Sequence, residues 1–98
     1  MATAFLHVDY VEKEKIGSLK FPKGDVLIAE ESKKKRVSLI DQAIDAGNFA
    51  QFKVMILFQD DTSVKEVETT IWDRKKGKVY LKDGVFIPLE RIHKIKFN

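Results

Sequence analysis

The chain has no cysteine, and its 98 residues include only two prolines, one tryptophan and two histidines. Without cysteine there are no disulfides, thiolate metal sites or sulfur nucleophiles, and the composition suits a reducing cytosol. The histidines, His7 and His93, stand near opposite ends of the chain, with no metal-ligand spacing to each other or to a carboxylate pair. Ser18, Ser32, Ser38 and Ser63 lie in no nucleophile-elbow context. Gly24, Gly47, Gly77 and Gly84 are isolated, so neither a dinucleotide fingerprint nor a phosphate-loop pattern occurs. Long apolar runs are missing too: no stretch approaches the roughly 18 apolar residues of a membrane span. The opening MATAFLHVDYVEKEK lacks the basic and apolar blocks of a secretory leader, so a soluble, cytoplasmic chain is expected. These absences argue against an enzyme, and no cofactor or metal is expected. Asp60-Asp61 with Glu66 and Glu68 could collect a cation, but a calcium loop needs more oxygen ligands at fixed offsets, and a polar hairpin tip is the plainer reading.

Hydrophobic residues at 44% and charged residues at 34% are ordinary for a folded chain and argue against disorder. At this length a single compact domain is expected, hiding about two-thirds of the surface of the unfolded chain. Charge is unevenly distributed. From Arg74 to Asn98, eight Lys or Arg face only Asp83 and Glu90, a local +6; residues 1–73 carry ten bases and thirteen acids, a local −3. A field of that kind attracts phosphate or acidic proteins, although lysine-rich edges also serve solubility alone.

The stretch KVYLKDGVFIPLERIHKIKF, residues 78–97, organises the fold. Val79 and Leu81 alternate with Tyr80 and Lys82, and Val85 and Ile87 with Phe86, which describes two strands. Asp83-Gly84 between them tolerates the positive φ of a two-residue type I′ turn. Pro88 removes a backbone donor, so the ladder should stop there, with Leu89–Ile92 forming one tight helical turn before Ile95 and Phe97 resume a strand.

Upstream, residues 4–11 alternate as a first strand, Glu12–Lys15 form a polar connection, and Ile16–Phe21 and Val26–Ala29 read as short second and third strands around a Pro22–Asp25 turn. Ser32 can cap a helix over residues 33–46, with Gly47 as its stop. Val37, Ile40, Ala43 and Ile44 form its buried stripe, leaving Lys33, Lys34, Lys35 and Arg36 in water. Four bases there oppose the helix dipole, which either describes a solvated face or marks an anion site. Gln51–Gln59 is apolar on both sides, with Phe52, Val54, Ile56 and Phe58 sharing one face, and is expected to be central. Val64–Asp73 is long for a strand and should bend before the Arg74–Gly77 reversal.

The pattern that could bind something is basic and aromatic: Trp72, Arg74, Lys75, Lys76, Lys78, Tyr80 and Lys82, joined by Arg91, Lys94 and Lys96 if the last strand lies alongside. Single-stranded nucleic acid is held by cations along its phosphates and exposed rings under its bases. Trp72 can equally cover the helix, and Phe86 is either a second core or a surface patch.

Asp83-Gly84, IPLERI and HKIKF, with the preceding helix and strand pair, resemble the closing half of SH3-like and Sm-like small barrels. Within that superfold the arrangement is similar to the Rho-binding antiterminators, small bacterial domains that act by binding a protein. Leu89-Glu90-Arg91 stands where that family reads Arg-Leu-Asp, and the Asn and Arg-Gly signatures of RNA-binding Sm members are missing, so no binding residue is carried over. The resulting expectation is α+β: a curled antiparallel sheet or a small SH3-like or Sm-like barrel, one helix and an N-terminal strand extension. Its function is expected to be non-enzymatic binding of a macromolecule, either single-stranded nucleic acid or an acidic protein, with a homodimer through a sheet edge as a further possibility and no membrane partner.

Overall fold

A computed structural model describes residues 7–97 of the chain. The elements are β1 (Asp9–Tyr10), α1 (Glu30–Ala50), β2 (Val54–Gln59), β3 (Val64–Thr69), β4 (Ile71–Lys75), β5 (Lys78–Leu81), β6 (Phe86–Pro88) and β7 (Ile92–Phe97), with 3-10 turns at Lys13–Ser18, Lys82–Gly84 and Leu89–Arg91. The fold is α+β. Its strands form two sheets, ordered β1-β3-β2-β7 and β4-β5-β6, and every pairing is antiparallel except the two-residue β1 against β3. The expected α+β architecture of one helix with mostly antiparallel strands is present, but the strands divide between two sheets instead of one, and neither sheet closes into a barrel.

Both sheets and the helix share one core. It takes Ile40 and Ala43 from α1, Val54, Ile56 and Phe58 from β2, Val67 and Ile71 from the bent strand, Val79, Leu81 and Ile87 from the β5–β6 hairpin, and Ile92 and Ile95 from β7. Each large side chain buried this way contributes roughly 1.5–3 kcal/mol. β2 lies between β3 and β7, as its two apolar faces require. The long run bends by breaking at Thr70, where β3 leaves the first sheet and β4 enters the second. The ladder stops at Pro88, and Leu89–Arg91 make the expected tight turn.

Several expectations are corrected. Among the described residues the first strand is only Asp9–Tyr10; Ala4–Leu6 of that reading lie outside them. Ile16–Phe21 is not a strand, because Lys13–Ser18 bonds locally, the Lys15 N–H donating to the Glu12 carbonyl at 2.9 Å. Ile16 is nonetheless buried in the core, and Leu19 and Phe21 pack against it. Val26–Ala29 is irregular; the Val26 N–H donates to the Glu90 carbonyl at 2.9 Å, and the Ala29 carbonyl accepts from the Lys33 N–H at 3.1 Å. The helix starts at Glu30 and runs to Ala50, so Ser32 is not its cap, and Glu30 and Glu31 occupy the positive end of the dipole. Its stop is Gln51 in the left-handed region (φ 53°), not Gly47, which is buried inside the helix. Arg36 is buried rather than solvated, and Phe52 precedes β2 and is exposed. Asp83 and Gly84 do have positive φ, 70° and 83°. Their loop holds three residues rather than two, since the Leu81 N–H donates to the Val85 carbonyl at 2.8 Å and Tyr80 faces Phe86. No helix among the described residues is long and apolar enough to cross a membrane.

Candidate nucleic-acid interface

The second sheet presents its outer face through a tight hairpin. β4 and β5 meet at Lys76-Gly77, both at positive φ (53° and 76°), with Lys75 facing Lys78. This is type I′ geometry, easy for glycine but costing a lysine roughly 1–2 kcal/mol. The turn carries Lys76 at its exposed tip.

Residues directly opposite one another across a ladder share a side. Asp73 faces Tyr80, Lys75 faces Lys78, and Tyr80 faces Phe86, so these five side chains share the face opposite to Val79 and Ile87, which enter the core. The Tyr80 and Phe86 ring centres are 5.8 Å apart with planes inclined at 52°. Lys78 Nζ stands 4.7 Å from the Phe86 centroid. Phe86 is 38% exposed, while Tyr80 is half-buried beside it. Two rings and two ammonium groups thus lie side by side on a β-sheet, with one carboxylate, Asp73, among them.

The remaining residues of the basic and aromatic pattern go elsewhere. Trp72 is the extra residue of a bulge, because Ile71 faces Leu81 and Asp73 faces Tyr80. It is half-buried, and its carbonyl accepts from Asn48 Nδ2 at 3.4 Å. Arg74 turns to the helix and makes a two-pronged pair with Asp41, Nε to Oδ1 at 2.7 Å and Nη2 to Oδ2 at 3.1 Å. That bond holds the Asp41 carboxyl below the usual carboxylate range and raises the Arg74 pKa. Arg91 is 8% exposed and donates to the carbonyls of Gln59 and Gly24 at 3.1 and 3.0 Å, so it is a structural tie and no part of a surface. Lys82 is exposed in the β5–β6 loop. Lys94 and Lys96 lie on β7 in the other sheet, and Lys96 Nζ is 3.8 Å from Glu66. The basic C-terminal third is therefore divided between two sheets, and Lys75, Lys76, Lys78 and Tyr80 are the residues that gather around one face.

Two other ionisable groups are built into the fold. Asp60 is 3% exposed, and its Oδ1 accepts from the N–H groups of Thr62 and Ser63 and from Lys65 Nζ, all at 3.0 Å. Burial would raise its pKa, but the Ser63 and Thr62 N–H groups, the Lys65 ammonium and the Thr62 hydroxyl outweigh it, leaving a value of about 2. This is a hairpin tip whose carboxylate is held from within. His93 Nε2 lies 2.9 Å from Gln59 Oε1, and burial, with Arg91 and Arg36 adding repulsion, lowers its pKa.

The chain matches no family model, no curated protein and no solved structure.

Proposed function

We propose that the protein is a non-enzymatic binding domain that holds single-stranded nucleic acid on the outer face of the β4-β5-β6 sheet. The observation that carries this reading is the Tyr80–Phe86 pair on the outer face, 5.8 Å apart, with Lys78 over Phe86 and Lys75 facing Lys78. Aromatic faces accept any base, and ammonium groups spaced along a strand follow the phosphates. Arg74, Arg91, Lys94 and Lys96 have no part in it.

Fluorescence anisotropy with a labelled oligothymidylate or oligouridylate tests the reading. Phosphate contacts by Lys75, Lys76 and Lys78 give a slope of log affinity against log salt of roughly −2. Tyr80→Ala or Phe86→Ala weakens binding roughly 5- to 150-fold, the range for losing one stacked base. Lys94→Ala leaves binding unchanged. No binding at low salt and about 100 μM protein, where non-specific nucleic-acid binders already respond, refutes the reading.

One observation favours a second reading. Phe86 also lines an apolar cavity of about 290 Å³ with Leu19, Phe21 and Val85, which suits an apolar anchor side chain of a partner protein. A partner that is lost with Phe86→Asp but retained by Lys76→Glu would select it.

A further inference from the structure

A groove between the N-terminal half of α1 and β7, about 380 Å³ in volume, lies outside the aromatic face. Leu27, Leu39 and Ile95 make it apolar, Lys35, Arg36 and Lys94 make it basic, and no carboxylate residue lines it. Lys35 and Lys94 are exposed and form no ion pair among the described residues. β7 is the last strand of its sheet, so no further strand of the described residues pairs with its outer edge. Such an edge can take an added strand.

Arg36, beneath the groove, is tied inward. It is 3% exposed, and its Nη1 and Nη2 each donate to the Asp25 carboxylate at 2.8 Å while Nη1 also reaches the Ile92 carbonyl at 3.1 Å. Its Nε is buried as well, so Arg36 closes the floor of the groove without offering it a donor. Asp25 answers the charge of Arg36, whereas the charges of Lys35 and Lys94 remain unanswered across the same groove.

We propose that this groove takes an extended acidic peptide segment of a partner protein, lying alongside β7 with its carboxylates on the flanking Lys35 and Lys94 and an apolar side chain against Leu27 and Leu39. Charge complementarity decides the occupant: the cations call for carboxylates, and the apolar wall calls for aliphatic neighbours to them. The groove is separate from the aromatic face, so the two proposals stand or fall independently.

The test uses ¹⁵N-labelled protein and three additives: a capped Glu-Val-Glu-Val-Glu peptide, its Gln-Val-Gln-Val-Gln counterpart, and inorganic phosphate. The glutamate peptide shifts the amides of β7, and the Lys35→Glu, Lys94→Glu double variant weakens this binding about tenfold or more, an effect of rim charge. Tyr80→Ala leaves peptide binding unchanged, and the double variant leaves oligonucleotide binding by the aromatic face unchanged. The proposal is overturned if the β7 amides do not move at about 1 mM peptide, the weak end of measurable affinity. It is equally overturned if the glutamine peptide binds as well, or if phosphate at the same concentration produces the same shifts, which would reduce the groove to a small-anion pocket.

Discussion

Replacing Gly47 with alanine should destabilise the protein, against the ordinary expectation for a glycine inside a helix. On helix propensity alone, Gly→Ala in a helix interior gains about 0.8–1 kcal/mol. Here a Cβ added at Gly47 would stand 2.6 Å from the Ile71 carbonyl oxygen and 2.7 Å from Thr70 Cγ2. The obstacle is main chain at the start of β4, next to the break at Thr70, and it cannot swing aside as the end of a flexible side chain can. Overpacking of this kind costs about 1–3 kcal/mol, so the net loss is on the order of 1 kcal/mol. In a domain of this size that lowers the thermal midpoint by roughly 4–8 °C, measurable by calorimetry or by circular dichroism. Gly17→Ala is the control, since a Cβ there meets nothing within 4 Å; it should be neutral or stabilising by less than about 1 kcal/mol. An unchanged or raised midpoint for Gly47→Ala would mean that α1 does not approach the bend as closely as the distances say.

Asp60, with its pKa lowered from 3.8 to about 2, contributes stability that is complete above pH 3.8 and lost as pH falls through the lower value. The contribution is roughly 2 kcal/mol, and urea melts should show Asp60→Asn losing this acid-range slope. His93 has its pKa below the ordinary 6.5, so its neutral form favours the folded state; its contribution is present above pH 6.5 and lost as pH falls through the lowered value. An imidazole titration by NMR with a midpoint above 6.5 would contradict that sign. Lys76→Asn should stabilise the β4–β5 turn by up to about 1 kcal/mol in denaturant melts, because asparagine accepts positive φ more readily. The same substitution should make the oligonucleotide salt slope shallower by about 0.7. Asp73→Asn, which removes the carboxylate facing Tyr80, should tighten oligonucleotide binding at low salt; weaker binding would place the strand elsewhere.

The elements legible in the sequence were those whose signal is local and strong. β2 announced itself by apolar residues on both sides, and Pro88 ended its ladder because a missing N–H leaves no choice. The helix was found but its ends were not. Its cap has no side-chain bond, and its stop is a left-handed glutamine, so the usual chemical markers at Ser32 and Gly47 pointed inside it. The segment before the helix was the least legible. Leu19 and Phe21 do reach the core, yet they do so from irregular backbone, because apolar alternation reports which residues go inward and not whether a strand partner exists.

The site shows how much can turn on a single residue of register. With a two-residue Asp83-Gly84 loop, Phe86 would face Leu81 and point into the core; with the three-residue Lys82–Gly84 loop it faces Tyr80 and points out. The aromatic pair is therefore a product of the loop, and no count of aromatics could have found it. Arg74, Arg91 and Arg36 were equally hidden, since composition places an arginine in water while the fold turned these toward Asp41, three backbone carbonyls and Asp25. Arginine is suited to such ties because its planar donors satisfy carbonyls and carboxylates at fixed angles, whereas an ammonium on a flexible stem is more easily left in water. That division explains why a C-terminal third carrying eight bases yields an aromatic face served by lysines alone. It also means that a Lys78→Arg substitution is not conservative here: a guanidinium can stack flat on Phe86 and occupy the ring that a base would need. Lys78→Arg should therefore weaken oligonucleotide binding while preserving charge, and an affinity equal to or above that of the parent would show that Phe86 is not the stacking surface.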